Sequence, residues 1–437
     1  MKVVASSLLT VLVALVLNPV ASAAPAPASG DTYTLSALNS GQCLDVSSGS
    51  LADETKLIQW PCAGYDNQTW QLQSNDGVYF QLLAQNSRKC LDVSSGSSAD
   101  GVPVIQWPCD DGFNQQWRLS ARADGSYNLI ARHSGKCLDV SGASTNNAAP
   151  VIQWTCHGGA NQGWVLHAPQ ILAAGDIAAC YDPSTIAGVQ ATADQISSQV
   201  AIQPRSRVLE LGDLAYNEGS TADFACYNNY WGKFNSISYP VPGNHEYASG
   251  NANGYYSYFG SRSVPPNGYY SYDWSGWHFI ALNANCVYVG GCGPGSAQEQ
   301  WLRADLAAHP SACTLAYWHQ PRFSSGLHGS DATYAAFWAA LVAARVDVIL
   351  NGHDHDYERF APQDAAGVAN AAGPVEFVVG TGGRSVRPLN SPRAANSVAS
   401  QDSALGILKL ELRANSYSWS FLPVSGSYRD SGEARCT

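Results

Sequence analysis

The sequence lacks an excess of positive charge. It has 23 Lys and Arg against 34 Asp and Glu, a formal net charge of −11. A nucleic-acid-binding surface needs a basic patch, and the composition argues against one. A small phosphate-bearing substrate stays open, because bound metal ions can reverse the local sign of charge. Beyond Leu17 the chain has no apolar run long enough to cross a bilayer, so no membrane span is expected. It also has no C-x-x-C pair, which counts against cysteine-held metal.

What is present bounds the class. The 437 residues suggest two or three domains, and 45% hydrophobic content is too high for global disorder. The first residues read "MKVVASSLLTVLVALVLNPVASAAPAPASG". Lys2 precedes an apolar run from Val3 to Leu17, and Ala21-Ser22-Ala23 fits a small-residue cleavage site. Residues 1–23 are therefore expected to be a signal peptide, and the mature protein to be secreted, extracellular and soluble. The 12 cysteines, an even number, fit that oxidising setting.

Residues 31–167 repeat with a period of 47. "CLDV" starts at Cys43, Cys90 and Cys137; "IQW" ends at Trp60, Trp107 and Trp154; an N-Q-x-W step ends at Trp70, Trp117 and Trp164. The equal spacing of Cys43/Cys62, Cys90/Cys109 and Cys137/Cys156 makes one disulfide per repeat the economical pairing. The other six cysteines allow 15 pairings. Proximity and elimination favour Cys180–Cys226, Cys286–Cys292 and Cys313–Cys436. Short β-prone runs between Gly/Ser/Asn-rich turns predict three copies of one all-β unit.

C-L-D-V, W-x-C and Q-x-W in three in-register copies resemble the ricin-type lectin domain, a β-trefoil. The resemblance implies a sugar site per lobe, with a carboxylate, a stacking ring and an asparagine. These would be Asp45, Trp60 and Asn67; Asp92, Trp107 and Asn114; Asp139, Trp154 and Asn161. It implies a glycan or polysaccharide partner. Gln68, Trp70, Gln115, Trp117, Gln162 and Trp164 are expected in the core. The plant toxins carry Gln two residues before the ring; here Ile58, Ile105 and Ile152 hold that place, and Gln59, Gln106 and Gln153 directly precede the ring. Adjacent strand residues face opposite sides, so the resemblance leaves the sugar-contact role of these glutamines open.

After Trp164 the texture changes. "QILAA" and "RVLEL" read as strands around a helix with Ile186, Val189, Ile196 and Val200 in helical spacing. Ser296 and Glu299 predict a capping box, Pro310 a helix stop, and Asp331 another helix start. A sheet flanked by helices is expected from this β-α-β beginning.

Five apolar runs then end alike. "ILAAGD" ends at Asp176, and "VLELGDLAY" supplies Asp213 and Tyr216. "YPVPGNHEY" supplies Asn244 and His245, "TLAYWHQPRF" His319, and "VILNGHDH" His353 and His355. Ligand sites gather at the carboxyl ends of strands in α/β sheets. Oxygen and imidazole donors without cysteine suit borderline-hard metals, and seven of them, with His245 set aside, suit two ions sharing a bridge. His353 and His355, two apart on an extended segment, would face one side; Asp354 and Asp356 would face away as supporting or solvated groups. Arg322 and Arg359 either add positive charge to such a site or form surface salt bridges; the sequence leaves both readings open. His133, His157, His167, His278 and His309 fall outside the pattern.

The order D, GDxxY, GNH[DE], xxH, GHxH resembles the purple acid phosphatase branch of the metallophosphoesterases. It implies a multidomain chain: residues 31–167 as the trefoil, and 170–437 as an α/β metallophosphoesterase domain, a central β-sandwich flanked by helices. Asp176, Tyr216 and His355 would hold one metal, Asn244, His319 and His353 the other, and Asp213 both. A phenol ionises near about 10, so a Tyr216 phenolate ligand implies Fe(III), paired with divalent Zn, Fe or Mn. The implied reaction is hydrolysis of a phosphomonoester by metal-activated hydroxide, with His245 and His328 as outer-sphere catalytic residues. The ligand set does not separate this from a phosphodiesterase or nucleotidase. A carbohydrate-binding protein with an inactive second domain is the reading from another class.

Overall fold

The structure is a computed structural model that describes residues 26–437. The expected signal peptide lies outside the described residues. Strands from Thr32–Ala37 to Trp164–His167 form one twelve-stranded system whose first strand pairs with its last. In each repeat the C-L-D-V strand pairs antiparallel with the I-Q-W strand, placing Cys43 opposite Trp60, Cys90 opposite Trp107 and Cys137 opposite Trp154. The core of this β-trefoil is threefold as well. Trp70, Trp117 and Trp164 are fully buried, and each indole N–H donates to the carbonyl of Leu44, Leu91 or Leu138.

Gln59, Gln106 and Gln153 fasten the repeats to one another. Each is fully buried. Gln59 donates to the carbonyls of Ser144 and Asn146, Gln106 to those of Ser50 and Ala52, and Gln153 to those of Ser97 and Ala99. Each also accepts a seryl hydroxyl, from Ser40, Ser87 or Ser134. A buried amide satisfied at three contacts cannot turn to a sugar without leaving backbone carbonyls unpaired.

The rest of the chain builds two sheets packed face to face. One has the order Ser238–Val241, Ser206–Leu211, Gln170–Ala174, Gly406–Leu412, Ser416–Pro423, Ser431–Arg435; its first three strands are parallel. The other runs Tyr270–Trp274, Trp277–Ala281, Thr314–Tyr317, Val348–Asn351, Val375–Val379, Tyr357–Phe360, Ser397–Gln401, with four parallel strands at its centre. Period-two alternation sorts the side chains. Leu315, Tyr317 and Leu350 join the core between the sheets, while Ala316, Trp318 and Ile349 join the outer core with Phe337, Trp338 and Leu341. The five motif-bearing strands thus belong to two sheets, three to one and two to the other, rather than to a single edge.

The helix Pro183–Ile202 is capped by Asp182 and buries Val189 and Ile196. The Ser296 hydroxyl accepts the Glu299 N–H, but the Glu299 carboxylate takes the Gly295 N–H, so only half of the expected box forms. Asp331 opens a 3-10 turn, Ala332–Tyr334, that leads into the helix Ala335–Ala343. The disulfides are Cys43–Cys62, Cys90–Cys109, Cys137–Cys156, Cys180–Cys226, Cys286–Cys292 and Cys313–Cys436. The trefoil and the sandwich meet through buried polar contacts. Arg413 donates to the Tyr33 hydroxyl and lies 3.8 Å from Asp31, and Gln203 donates to the carbonyls of His167 and Ala168.

Candidate metal centre

Side chains from all five motifs converge where the parallel strands of both sheets end. Three of these residues, Asp176 (φ 61°), Asp213 (φ 51°) and His353 (φ 70°), adopt left-handed backbone. Such a conformation costs an L-residue about 1–3 kcal/mol and persists only where its surroundings enforce it. Gly212 shows how tight the approach is: a Cβ there would stand 2.5 Å from His319 Nδ1. At Gly243 a Cβ would strike Asp213 Oδ1 at 2.1 Å. Only glycine lets the backbone pass so close.

The contacts are dense. The Tyr216 hydroxyl lies 2.9 Å from Asp176 Oδ1, 3.1 Å from Asp213 Oδ2 and 3.3 Å from His355 Nε2. His355 Nε2 is 3.2 Å from Asp176 Oδ1, and His319 Nε2 is 3.2 Å from Asp213 Oδ2. His353 Nδ1 is 3.3 Å from His319 Nε2, and donor atoms of Asp213, His319 and His353 all lie within 4.8 Å of one another. Asn244 sits in the same loop, between Gly243 and His245, whose N–H donates to Asp213 Oδ1. Asn244 Oδ1 is buried without a hydrogen-bond partner.

Two carboxylates, three imidazoles and a phenol, gathered this closely beside a loop that carries an orphaned amide oxygen, suit cations better than one another. Burial pushes the Asp176 and Asp213 carboxyls up, but the adjacent imidazoles outweigh it and hold both below the ordinary range. Burial depresses His319, yet the Asp213 carboxylate raises it to about 9. His353, largely shielded from water and beside the His319 ring, drops to about 3, so its ring stays neutral and keeps one nitrogen lone pair to donate. Burial, then the Asp176 and Asp213 charges, push the Tyr216 phenol well above its usual value. A phenolate at that position therefore needs a cation beside it.

Supporting contacts orient the donors, as outer partners do in metal sites. His319 Nδ1 lies 2.7 Å from the Leu211 carbonyl and His355 Nδ1 2.9 Å from the Ser385 hydroxyl, which turns each Nε2 inward. Glu246, fully buried, accepts N–H groups from Asp213, Leu214, Ala215 and Gly243, tying two motif loops together. Burial and then the Asp213 charge raise its pKa to about 7. His245 Nδ1 lies 2.6 Å from the Asn217 carbonyl, and its Nε2 is 3.8 Å from Asp213 Oδ2. His328 lies at the rim with its ring 4.3 Å from that of His353.

One expectation needs correction, and one open choice closes. Residues 353–356 are a succession of bends, not an extended segment, and the left-handed His353 breaks the alternation. Asp354 and Asp356 are accordingly buried, not solvated. Asp354 accepts from the Ser324 hydroxyl and the His328 N–H, anchoring the loop that carries His328. Nor is Arg359 part of the site, since it is paired with Asp430 at 2.7 and 2.9 Å. Arg322 lies over the Phe323 ring. The basic residues that do reach the centre are Arg384 and Arg387. They sit in a loop after Val375–Val379 whose sequence, G-T-G-G-R-S-V-R, matches none of the five motifs. Glu246 carried a weak signal as the ionisable neighbour of His245; Ser385 carried none.

In the trefoil, three cavities of about 500, 370 and 380 Å³ hold the three triads. Gln68, Gln115 and Gln162 each donate to the triad carboxylate at 2.8 Å. Asn67 and Asn114 also bond their Asp at 3.0 Å, whereas Asn161 turns to the Val140 carbonyl. Burial raises the Asp45 carboxyl to about 6 despite those amides. The Trp60 and Trp154 rings stay exposed, at 43% and 41%. The cavities are not alike at their edges. The first adds Tyr65, the second Glu54 and Asp110, and the third His157.

Residues 31–182 match the Ricin-type beta-trefoil lectin domain family, and residues 169–357 match the Calcineurin-like phosphoesterase family. Purple acid phosphatase 15 of Arabidopsis thaliana is 28% identical over 255 residues, 49% of this chain and 45% of that protein. Probable inactive purple acid phosphatase 9 of the same plant is 29% identical over 190 residues, 41% of this chain and 27% of that one. The chain spans less than half the length of these curated relatives. Among solved structures, the designed threefold-symmetric protein ThreeFoil is 48% identical across 32% of this chain and 98% of its own, with a TM-score of 0.31.

Proposed function

We propose that the chain is a secreted, dinuclear-metal phosphoesterase that hydrolyses phosphomonoesters and is held near carbohydrate by its trefoil. Residues 31–167 are the sugar-binding unit and 170–437 the catalytic one. The convergence of Asp176, Asp213, Tyr216, His319, His353 and His355, with the buried and unpartnered Asn244 Oδ1 in the adjoining loop, carries this reading. Asp176, Tyr216 and His355 hold one ion, Asn244, His319 and His353 the second, and Asp213 both. Tyr216 favours Fe(III) in the first place, with divalent Zn, Fe or Mn in the second. Such ions supply Lewis acidity for the phosphoryl oxygens and acidify a water to act as nucleophile.

The side chains do the rest. A water oxygen forms the new bond to phosphorus, and the ester P–O bond opposite it breaks. The leaving oxygen takes a proton, which His245 supplies from Nε2 while Nδ1 is held by the Asn217 carbonyl. Arginine only donates, so in the 2.9 Å contact from Arg387 the His328 Nε2 accepts and has no proton to give; the outer-sphere catalytic role expected of His328 is then replaced by an orienting one. In the trefoil the exposed tryptophans stack on the apolar face of a sugar and the buried aspartates bond its hydroxyls. Six disulfides support an oxidising, extracellular location.

The same donors would serve a phosphodiesterase or nucleotidase, and one relative's name marks it as probably inactive. All seven donors are present here, which favours an active centre. Asp213→Asn tests this. Phosphomonoester hydrolysis should fall by at least about 10²-fold, with glycan-array binding intact. Undiminished hydrolysis would reject the assignment.

A further inference from the structure

The centre opens on one side only. Asp176, Asp213, Tyr216, His319 and His355 are buried, while Asn244, His245 and His353 are partly exposed and His328 is exposed. A substrate must enter along that open edge, with its leaving part pointing outward. Arg387 stands there. Its N–H donates to the His355 carbonyl at 2.9 Å, and its guanidinium reaches His328 Nε2 at 2.9 Å. Among the described residues no carboxylate lies within 4.0 Å of this guanidinium, whereas Arg384, in the same loop, is 3.6 Å from Asp182. Arg384 is anchored too, by its N–H to the Asp176 carbonyl and its side chain to the Tyr181 hydroxyl. The loop thus presents one charge-compensated and one uncompensated guanidinium, each on a residue whose backbone N–H is bonded to the carbonyl of a motif residue.

We propose that Arg387 is a second anion-binding position, which recognises a phosphate carried by the leaving part of the substrate. The preferred substrates are then diphosphates and phosphate esters bearing a second phosphate, rather than esters of neutral alcohols. Guanidinium matches phosphate in a two-pronged, charge-assisted contact that a single imidazole cannot supply. The five donor N–H groups of Arg387 exceed what His328 Nε2 can accept, so capacity remains for a ligand. This rests on the phosphoesterase reading.

The test compares pyrophosphate with phenyl phosphate on the metal-loaded full chain, together with binding of imidodiphosphate and phenylphosphonate by calorimetry. The wild type should favour pyrophosphate in kcat/KM and imidodiphosphate in affinity. Arg387→Gln should shrink both preferences at least about tenfold, mainly through KM, and Arg387→Lys should keep part of each. A wild type without preference, or preferences unchanged in Arg387→Gln, overturns the proposal. Hydrolysis of neither ester nor anhydride would count against the phosphoesterase reading instead, and the imidodiphosphate affinities would still decide the role of Arg387.

Discussion

At the residue scale, the chemistry depends on groups that never touch the donors' open side. Glu246 accepts four backbone N–H groups, from Asp213, Leu214, Ala215 and Gly243. Glu246→Gln keeps the shape but loses the charge and part of that accepting capacity, so the loops carrying Asp213 and Asn244 loosen. Metal affinity should fall about 10–100-fold, read by competition with a chelator. Unchanged affinity would reduce Glu246 to a packing residue. Tyr216 makes a separate prediction. If its phenolate holds Fe(III), Tyr216→Phe should bleach the visible charge-transfer band and leave the other six donors in place. A band surviving in Tyr216→Phe assigns the colour elsewhere.

At the element scale, burial sets two measurable energies. Glu210, on the strand Ser206–Leu211, is fully buried between the Tyr227 and Ser238 hydroxyls, and burial raises its pKa to about 7. It stays protonated in the fold while the unfolded chain ionises near the ordinary carboxylate value. The native state then binds more protons between those two pH values, so stability falls as pH rises through the window. The loss amounts to something on the order of 3 kcal/mol once complete. Melting temperatures from pH 4 to 8 should decline less in Glu210→Gln than in the wild type; equal slopes would place the titration at another group. In the trefoil, Gln106→Ala strips the carbonyls of Ser50 and Ala52 of their donor and should cost about 2–3 kcal/mol in denaturant unfolding.

The same scale shows what was legible beforehand. Asp176, Asp213, Tyr216, Asn244, His319, His353 and His355 could be picked out because each follows an apolar run, and strand ends are where parallel sheets leave backbone free for a site. The threefold period exposed the trefoil because a symmetric core needs the same residues three times. That the five strands divide between two sheets was hidden, since an apolar run does not state its partner. Of the two readings of Asp354 and Asp356, supporting or solvated, burial removes the solvated one, and Asp354 supports the loop of His328; the expected alternation failed because it presumes extended backbone, and His353 is left-handed. Arg387 was invisible because 59 residues separate it from His328, which it meets only in the fold.

At the scale of the whole molecule, the trefoil and the sandwich share a buried joint rather than a bare linker. Arg413 reaches Tyr33, and the Ala414 N–H bonds Asp31. The wild type should unfold in one calorimetric transition, and Arg413→Ala, which leaves Asp31 without its cation, in two. One transition at the same temperature in both would mean the joint contributes nothing. The central claim, a dinuclear centre that performs phosphoester hydrolysis, is tested most directly by metal analysis and phosphomonoester turnover on one purified sample of the full chain. Two metal ions per chain, one of them iron, with turnover that disappears on chelation and returns on reloading, is the predicted result. A correctly folded, sugar-binding protein that takes up no metal and hydrolyses nothing would contradict it.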